Sequence, residues 1–429
     1  MQFKKNMVSG RVLKNAVYLF MAQGFNLVYP VVTLPFLTHS LGLKAFGIYA
    51  LCQVITFYAQ SVVDYGFNLT ATRLIANAQG DKEQLSKVFF SVIAAKAILA
   101  AATASVAVLV LLLLDVEREV FLLYVFSLLT LIGTVFYPIW FFQGVESVAA
   151  IAWANFFSKL VGLGLLIVLI NGPDDIAVSG LVNSIPMLIA ALVGLLIVLK
   201  SRAVSITKVS FTDIKSTLFD GWHVFTANIS SITLTNAGSL ALGFYHPPEV
   251  VGVYNAGERI AKAAAACLSP ITQAIYPTNV KGFARSMADG FTSVGRSSAI
   301  VLVPAALVAT VLYISAPLVI NLLRWDNAQY IHVIRMLCPW IFLGILNNVL
   351  GIQILTAMGH GRTYGRLFVF ATVISALILA LFVPDFGIDA VILSMTIAEG
   401  GLSILFSIAI WKLYFYSPEK VAVADNFSR

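Results

Sequence analysis

The sequence predicts an all-α polytopic membrane protein, with twelve transmembrane helices in two six-helix lobes around a central cavity. Three observations predict it. Of 429 residues, 59% are hydrophobic and 11% charged, and mean hydropathy is +0.91, whereas about a quarter of a soluble domain's residues are charged. The apolar residues fall in runs of about 20 or more, the length that crosses a bilayer. The basic residues gather in alternate segments between those runs, as the positive-inside rule requires.

The twelve expected spans are 14–37, 48–67, 88–114, 120–142, 148–170, 177–199, 218–243, 251–277, 291–322, 331–357, 365–383 and 389–416. The first follows Lys4, Lys5, Arg11 and Lys14 and imitates a secretory leader. It has no small-x-small cleavage pattern and continues through Pro30 and Pro35, so it reads as a retained span. An even count places both termini on one side. Nineteen of the 27 Lys and Arg residues lie on that side; three, Lys44, Arg118 and Arg324, lie on the other. Both termini are therefore expected in the cytoplasm, and the spread of basic residues, with no dense patch, gives no footing for nucleic acid. Cys52, Cys267 and Cys338 show no CxxC or His-rich spacing, which argues against a disulfide or a zinc site.

The two halves echo each other. Lys44–Ala50 (KAFGIYA) precedes span two as Glu249–Asn255 (EVVGVYN) precedes span eight, matching Tyr49 with Tyr254 at an offset of 205 residues. A weaker echo sets FFQGVES after span four against LTAMGHG after span ten. Six spans per half give both halves the same orientation, with the repeat axis along the membrane normal and the substrate path between lobes 1–205 and 206–429. Prolines 30, 35, 138, 186, 270, 277, 304 and 317 favour kinks within spans. Two segments, 68–87 and 206–219, mix apolar and basic residues and read as amphipathic helices on the inner surface, the second joining the halves.

The stretch Gly252–Pro277 carries the chemistry. Asn255, Glu258, Arg259 and Lys262 share one face of a 3.6-residue helix, opposite Ala, Ile and Leu. Ionisable groups inside a membrane cost about 2.5–3.5 kcal/mol each on insertion scales, so that face must meet protein or water. Arg259 as a fork and Lys262 as a point charge suit a phosphate; Glu258 and Asp64 could instead neutralise them. Lys96 and Lys159 stand about nine to eleven residues from the inner ends of spans three and five, placed either to line the cavity or to snorkel. Glu258, Asp64 and Glu399 are the acids placed to couple transport to an ion. No phosphate loop, HExxH motif or nucleophile elbow occurs, and the outward segments are short, which opposes a membrane enzyme.

Four stretches, VVDYGFNLTATRLIA at 62–76, YPIWFFQG at 137–144, DGWHVF at 220–225 and SPITQAIYP at 269–277, together resemble the O-antigen flippases (Wzx-type) of the polysaccharide transporter family. That family belongs to the multidrug/oligosaccharidyl-lipid/polysaccharide exporter superfamily. The resemblance implies two lobes around a central cavity in a bacterial inner membrane. It also implies transfer of an undecaprenyl-pyrophosphate-linked oligosaccharide from the cytoplasmic to the periplasmic leaflet by alternating access. An O-antigen polymerase and a chain-length regulator are the expected partners, and no cofactor is expected. A drug/cation antiporter of the same superfamily is the competing transporter, but it would favour an acidic, aromatic cavity, against the two basic residues of span eight.

Overall fold

The computed structural model describes residues 2–325 and 327–415, with side chains described from Tyr29 to Tyr414. Lys4, Lys5, Arg11 and Lys14 precede the described side chains, and Lys420 and Arg429 lie beyond the described residues. No strand occurs among the described residues. The helices are α1 (Gln2–Asp64), α2 (Phe67–Asn77), α3 (Lys82–Leu113), α4 (Arg118–Phe136), α5 (Ile139–Gly144), α6 (Ala149–Leu169), α7 (Ile176–Lys200), α8 (Phe211–Tyr245), α9 (Pro248–Ala266), α10 (Ser269–Arg285), α11 (Met287–Leu323), α12 (Gln329–Asn347) and α13 (Gly361–Phe415). A short 3₁₀ turn precedes α7, and a π-helix (Asn348–Thr356) continues α12. The chain is a multi-pass membrane protein.

Among the described residues, eight helical segments are long and apolar enough to cross a membrane. Two of them, Tyr29–Asn77 and Gly361–Tyr414, span two expected crossings each. Within α1 the two helices join at Gly42 (φ 73°, ψ 167°), and within α13 at Gly387 (φ 53°, ψ −125°), conformations that suit glycine because it has no Cβ. The expected spans 218–243 and 251–277 are not among the eight. Asp220, His223, Asn228 and Asn236 make α8 too polar, as Glu258, Arg259 and Lys262 do α9. The expected span 251–277 is also two helices, because α9 ends at Ala266 and α10 restarts with Pro270 in its first turn, where its missing N–H costs no helix bond. Span 120–142 breaks in the same way, at Tyr137–Pro138 between α4 and α5.

The chain forms two compact units, Met1–Ile232 and Thr233–Arg429, dividing inside α8. Contacts of the start of α8 account for this. Lys87 of α3 pairs with Asp213 at 2.9 Å, and Tyr65 stacks on Phe225 at 4.6 Å between ring centroids.

In the first unit, α4 and α7 approach closely through small residues. A Cβ on Gly180 would collide with Leu123 O, and one on Gly133 would meet Met187 Cγ at 2.7 Å. Ser184 Oγ donates to Phe126 O at 2.7 Å. Lipid is as apolar as a helix surface, so close packing and hydrogen bonds of this kind hold membrane helices together. The segment read as lying on the inner surface is only partly so. Phe67, Ala71 and Ile75 of α2 are buried against Trp140, Phe141 and Phe142 of α5 and Phe89 of α3, leaving Leu69 exposed. From 206 to 210 the second such segment is not helical.

In the second unit, α9 packs on α12 with Gly257 against Val333. The π-helix supplies Gln353 to a buried network. Asn279 Nδ2 donates to Gln353 Oε1 at 2.9 Å, Gln353 Nε2 to Thr272 O at 2.9 Å, and Ser293 Oγ to Asn279 Oδ1 at 2.7 Å. Every polar group in such a network has a partner, the condition for burying amides at low cost.

Candidate functional site

The four polar residues of α9 divide by depth. Asn255 and Glu258 are both 3% exposed, while Arg259 and Lys262 are half-buried. Asn255 is tied by its own helix and by α8, with Nδ2 donating to Val251 O at 2.9 Å and Ser239 Oγ donating to its Oδ1 at 3.2 Å. It positions α9 against α8.

Glu258 is the centre of the cluster. Its Oε1 accepts from Tyr254 OH at 3.0 Å and lies 3.1 Å from Lys262 Nζ, one turn along the helix. Tyr254 OH also lies 3.1 Å from Met395 Sδ of α13. The carboxylate is thus held by one neutral and one cationic donor, the minimum for an acid at this depth. Lys262 Nζ reaches Thr235 O at 3.3 Å and Asn236 Oδ1 at 3.2 Å on α8 as well. Its three hydrogens therefore meet three acceptors, only one of them charged. A lysine so placed keeps part of its field for an incoming anion, and an anion approaching it competes with Glu258.

The other expected site residues lie elsewhere. Lys96 is fully buried in α3, its Nζ donating to Asp64 Oδ1 at 2.7 Å and to Thr134 O at 3.2 Å. It neither snorkels nor stands open to a substrate, and Asp64 pairs with it rather than with Arg73. Lys159 sets its ammonium 5.6 Å from the centroid of the Tyr29 ring, a cation–π contact. In the second unit Glu399 Oε2 accepts from Asn347 Nδ2 at 2.6 Å, and Asn347 Oδ1 accepts from Ser403 Oγ at 2.8 Å. In the second unit, Asn255, Glu258, Arg259 and Lys262 stand on one helix beside the end of α8.

Sequence reasoning passed over three members of the cluster. Tyr254 had a signal, since it precedes Glu258 by one helical turn. Thr235 and Asn236 had none, because which turn of α8 faces α9 is a matter of tertiary register. Among the described residues no group of three His, Cys, Asp or Glu side chains is placed to hold a metal ion.

Residues 12–283 match the family model described as polysaccharide biosynthesis protein. Over 371 residues the chain is 31% identical to an Escherichia coli (strain K12) protein named "Putative O-antigen transporter", covering 85% of this chain and 88% of that one. A solved structure titled "Lipid II flippase MurJ, inward closed conformation" aligns with a TM-score of 0.69 at 10% identity, over 93% of this chain and 87% of that one. An inward-facing multidrug resistance MATE family transporter of the MOP superfamily aligns with a TM-score of 0.64 at 18% identity, over 91% and 96%. At these identities the two structures show a shared fold.

Proposed function

The chain belongs to the polysaccharide biosynthesis protein family, and from that premise we propose that it is a flippase for undecaprenyl-pyrophosphate-linked O-antigen units. It acts as a transporter rather than an enzyme, in keeping with the name of its Escherichia coli relative. In this reading both termini are cytoplasmic, the membrane is a bacterial inner membrane, and lobes 1–205 and 206–429 alternate access to its two faces. A polymerase and a chain-length regulator of the same assembly process receive the flipped unit.

The observation that carries the reading is the half-buried Lys262, shared between Glu258 and neutral acceptors, with Arg259 beside it on a helix too polar to face lipid. A pyrophosphate moved through hydrocarbon without counter-charge faces a prohibitive desolvation penalty. Arg259 and Lys262 supply that counter-charge while the polyprenyl tail remains in lipid. Glu258 opposes binding when ionised, because it holds Lys262; protonated, it releases Lys262 to the substrate. An ion gradient drives such a cycle only if the ion binds the inward-facing and outward-facing states differently, which an acid within 3.1 Å of the lysine can provide.

The test is flipping of a lipid-linked oligosaccharide in vesicles reconstituted with the purified protein. Arg259→Ala and Lys262→Ala are each expected to slow flipping by about tenfold or more, the loss of one charge-assisted hydrogen bond. Wild-type rates in the double variant overturn the assignment of these residues. An imposed pH or sodium gradient should accelerate the wild type and leave Glu258→Gln unaffected; a variant that keeps the wild-type rate and gradient response makes Glu258 a counter-charge only.

A further inference from the structure

We propose that a second, separate pocket, between α10 and α11, binds a phosphoryl group through Lys281, Arg285 and Arg296. The pocket does not depend on the transport reading, and none of its residues belongs to the α9 cluster.

Its geometry begins with the sequence. Thr278, Lys281 and Arg285 follow one another at helical spacing along one face of α10, and Asp289, Thr292 and Arg296 do so on α11. The tight turn at Ser286 sets these faces against each other. Ser286 Oγ accepts from Asp289 N at 3.0 Å, capping α11. Next to the turn the helices touch through glycine, since a Cβ on Gly282 would lie 3.1 Å from Gly290 Cα. The two faces then flank an open pocket of about 560 Å³, with Lys281, Arg285 and Arg296 exposed along it.

The serines lining the pocket are already hydrogen-bonded. Ser293 and Ser297 both donate to Asn279 Oδ1, at 2.7 and 3.2 Å, and Asn279 is anchored through Gln353 to the π-helix. The cations are the reverse case. Lys281, Arg285 and Arg296 form no ion pair among the described residues, and Asp289 is the one acid lining the cavity beside them. Lys281 and Arg285 stand one turn apart, a like-charge spacing that destabilises a helix unless an anion offsets it. A net charge of +2, two guanidinium forks and the hydroxyl of Thr278 match a phosphate, whose oxygens accept from several donors at once.

That phosphoryl group has two sources, an anionic lipid headgroup or a soluble phosphate, and the test has one arm for each. The full chain is placed in nanodiscs of phosphatidylcholine with and without phosphatidylglycerol, and retained lipid is read by native mass spectrometry. In neutral detergent, inorganic pyrophosphate is titrated calorimetrically. Wild type is expected to bind at least one probe. Lys281→Gln/Arg285→Gln/Arg296→Gln should weaken that binding by about tenfold or more, whereas the charge-matched Lys200→Gln/Arg202→Gln/Lys208→Gln should not. Arg296→Lys keeps the charge and loses the fork, so it should fall between wild type and the triple variant. Retention of phosphatidylglycerol alone that the Lys281→Gln/Arg285→Gln/Arg296→Gln variant loses assigns a lipid headgroup, and pyrophosphate binding alone that this variant loses assigns a soluble ligand. No binding of either probe by wild type, or equal losses in the two triple variants, overturns the site.

Discussion

Lys96 Nζ donates to Asp64 Oδ1 at 2.7 Å, joining the middle of α3 to the last residue of α1, and the lysine end of this pair is 1% exposed. Its second partner is the carbonyl of Thr134 on α4, so one ammonium, on α3, ties α1 and α4 to its own helix. Removing Asp64 leaves the buried Lys96 ammonium uncompensated; breaking a fully buried pair from one side costs about 3–5 kcal/mol, and water at the 35% exposed Asp64 brings the cost below that range. Asp64→Asn should therefore lower the thermal midpoint of the purified protein markedly. The apolar isostere Lys96→Met in the same chain should restore most of the loss, and a double variant no more stable than Asp64→Asn would show that the pair is not structural.

Arg259 and Lys262 differ in what a conservative exchange removes. A guanidinium contacts phosphate bidentately and an ammonium as a point charge, so the two are not interchangeable at a phosphate. In the vesicle assay Arg259→Lys should lose more flipping than Lys262→Arg. Equal tolerance of both exchanges would point to a diffuse positive field rather than direct contact.

Two glycines with positive φ separate backbone strain from crowding. Gly66 (φ +79°) lies against α8, where a Cβ would come within 2.5 Å of Val224 Cγ1 and 3.3 Å of Phe225 N; Gly80 (φ +95°) has nothing within 4 Å. Gly80→Ala should cost only the strain of a left-handed residue, about 1 kcal/mol. Gly66→Ala adds overpacking and should cost about 2–4 kcal/mol in all. Thermal unfolding of the two variants checks the order, and equal midpoints would mean that α8 yields at Val224.

Asp213 provides a pH handle outside the membrane spans. The hydrogen bond from Lys87, with two more from Ser210, holds its carboxyl at about 2, below the 3.8 of an ordinary aspartate. A folded pKa below the unfolded one stabilises the fold above the unfolded value, and that stabilisation disappears as pH falls through the folded value. The midpoint difference between wild type and Asp213→Asn should be constant above about pH 5, shrink as pH falls from about 4 to 2, and vanish below about pH 2. A difference that keeps its full size at pH 2 would assign the effect to Ser210 capping instead.

The all-α class, the polar face of α9 and the internal echo were legible in the sequence because they rest on composition and periodicity. The echo extends into the structure. Tyr254 donates to Glu258 one turn on, and in the first half Tyr49 and Gln53, at the same offset of 205, meet at Asn183: Tyr49 OH donates to its Oδ1 at 3.4 Å, and its Nδ2 donates to Gln53 Oε1 at 2.8 Å. The counterparts of Arg259 and Lys262 are Val54, buried, and Phe57, exposed, so the cations belong to the second half alone. The Lys96–Asp64 pair could not be read, because 32 residues separate the partners and hydropathy carries no information on which helix turns meet. The break between α9 and α10 did leave a mark in Pro270, but a proline kinks a helix or starts a new one according to the residues before it.

The π-helix at Asn348–Thr356 has a consequence for the reading frame of α12. Ala357 N bonds Ile352 O, five residues back, and Thr356 Oγ1 bonds Gly351 O at the same separation. Such a segment is an α-helix carrying inserted residues, and it holds everything beyond it at a shifted azimuth. Deleting one residue there would return the ladder towards four-residue spacing and turn the chain beyond it by about 100°. Depending on where the residue is lost, Gln353 would be carried away from Asn279 or left without its wide turn. The surplus backbone of this one helix thus sets the angular phase on which the α10–α11 network depends.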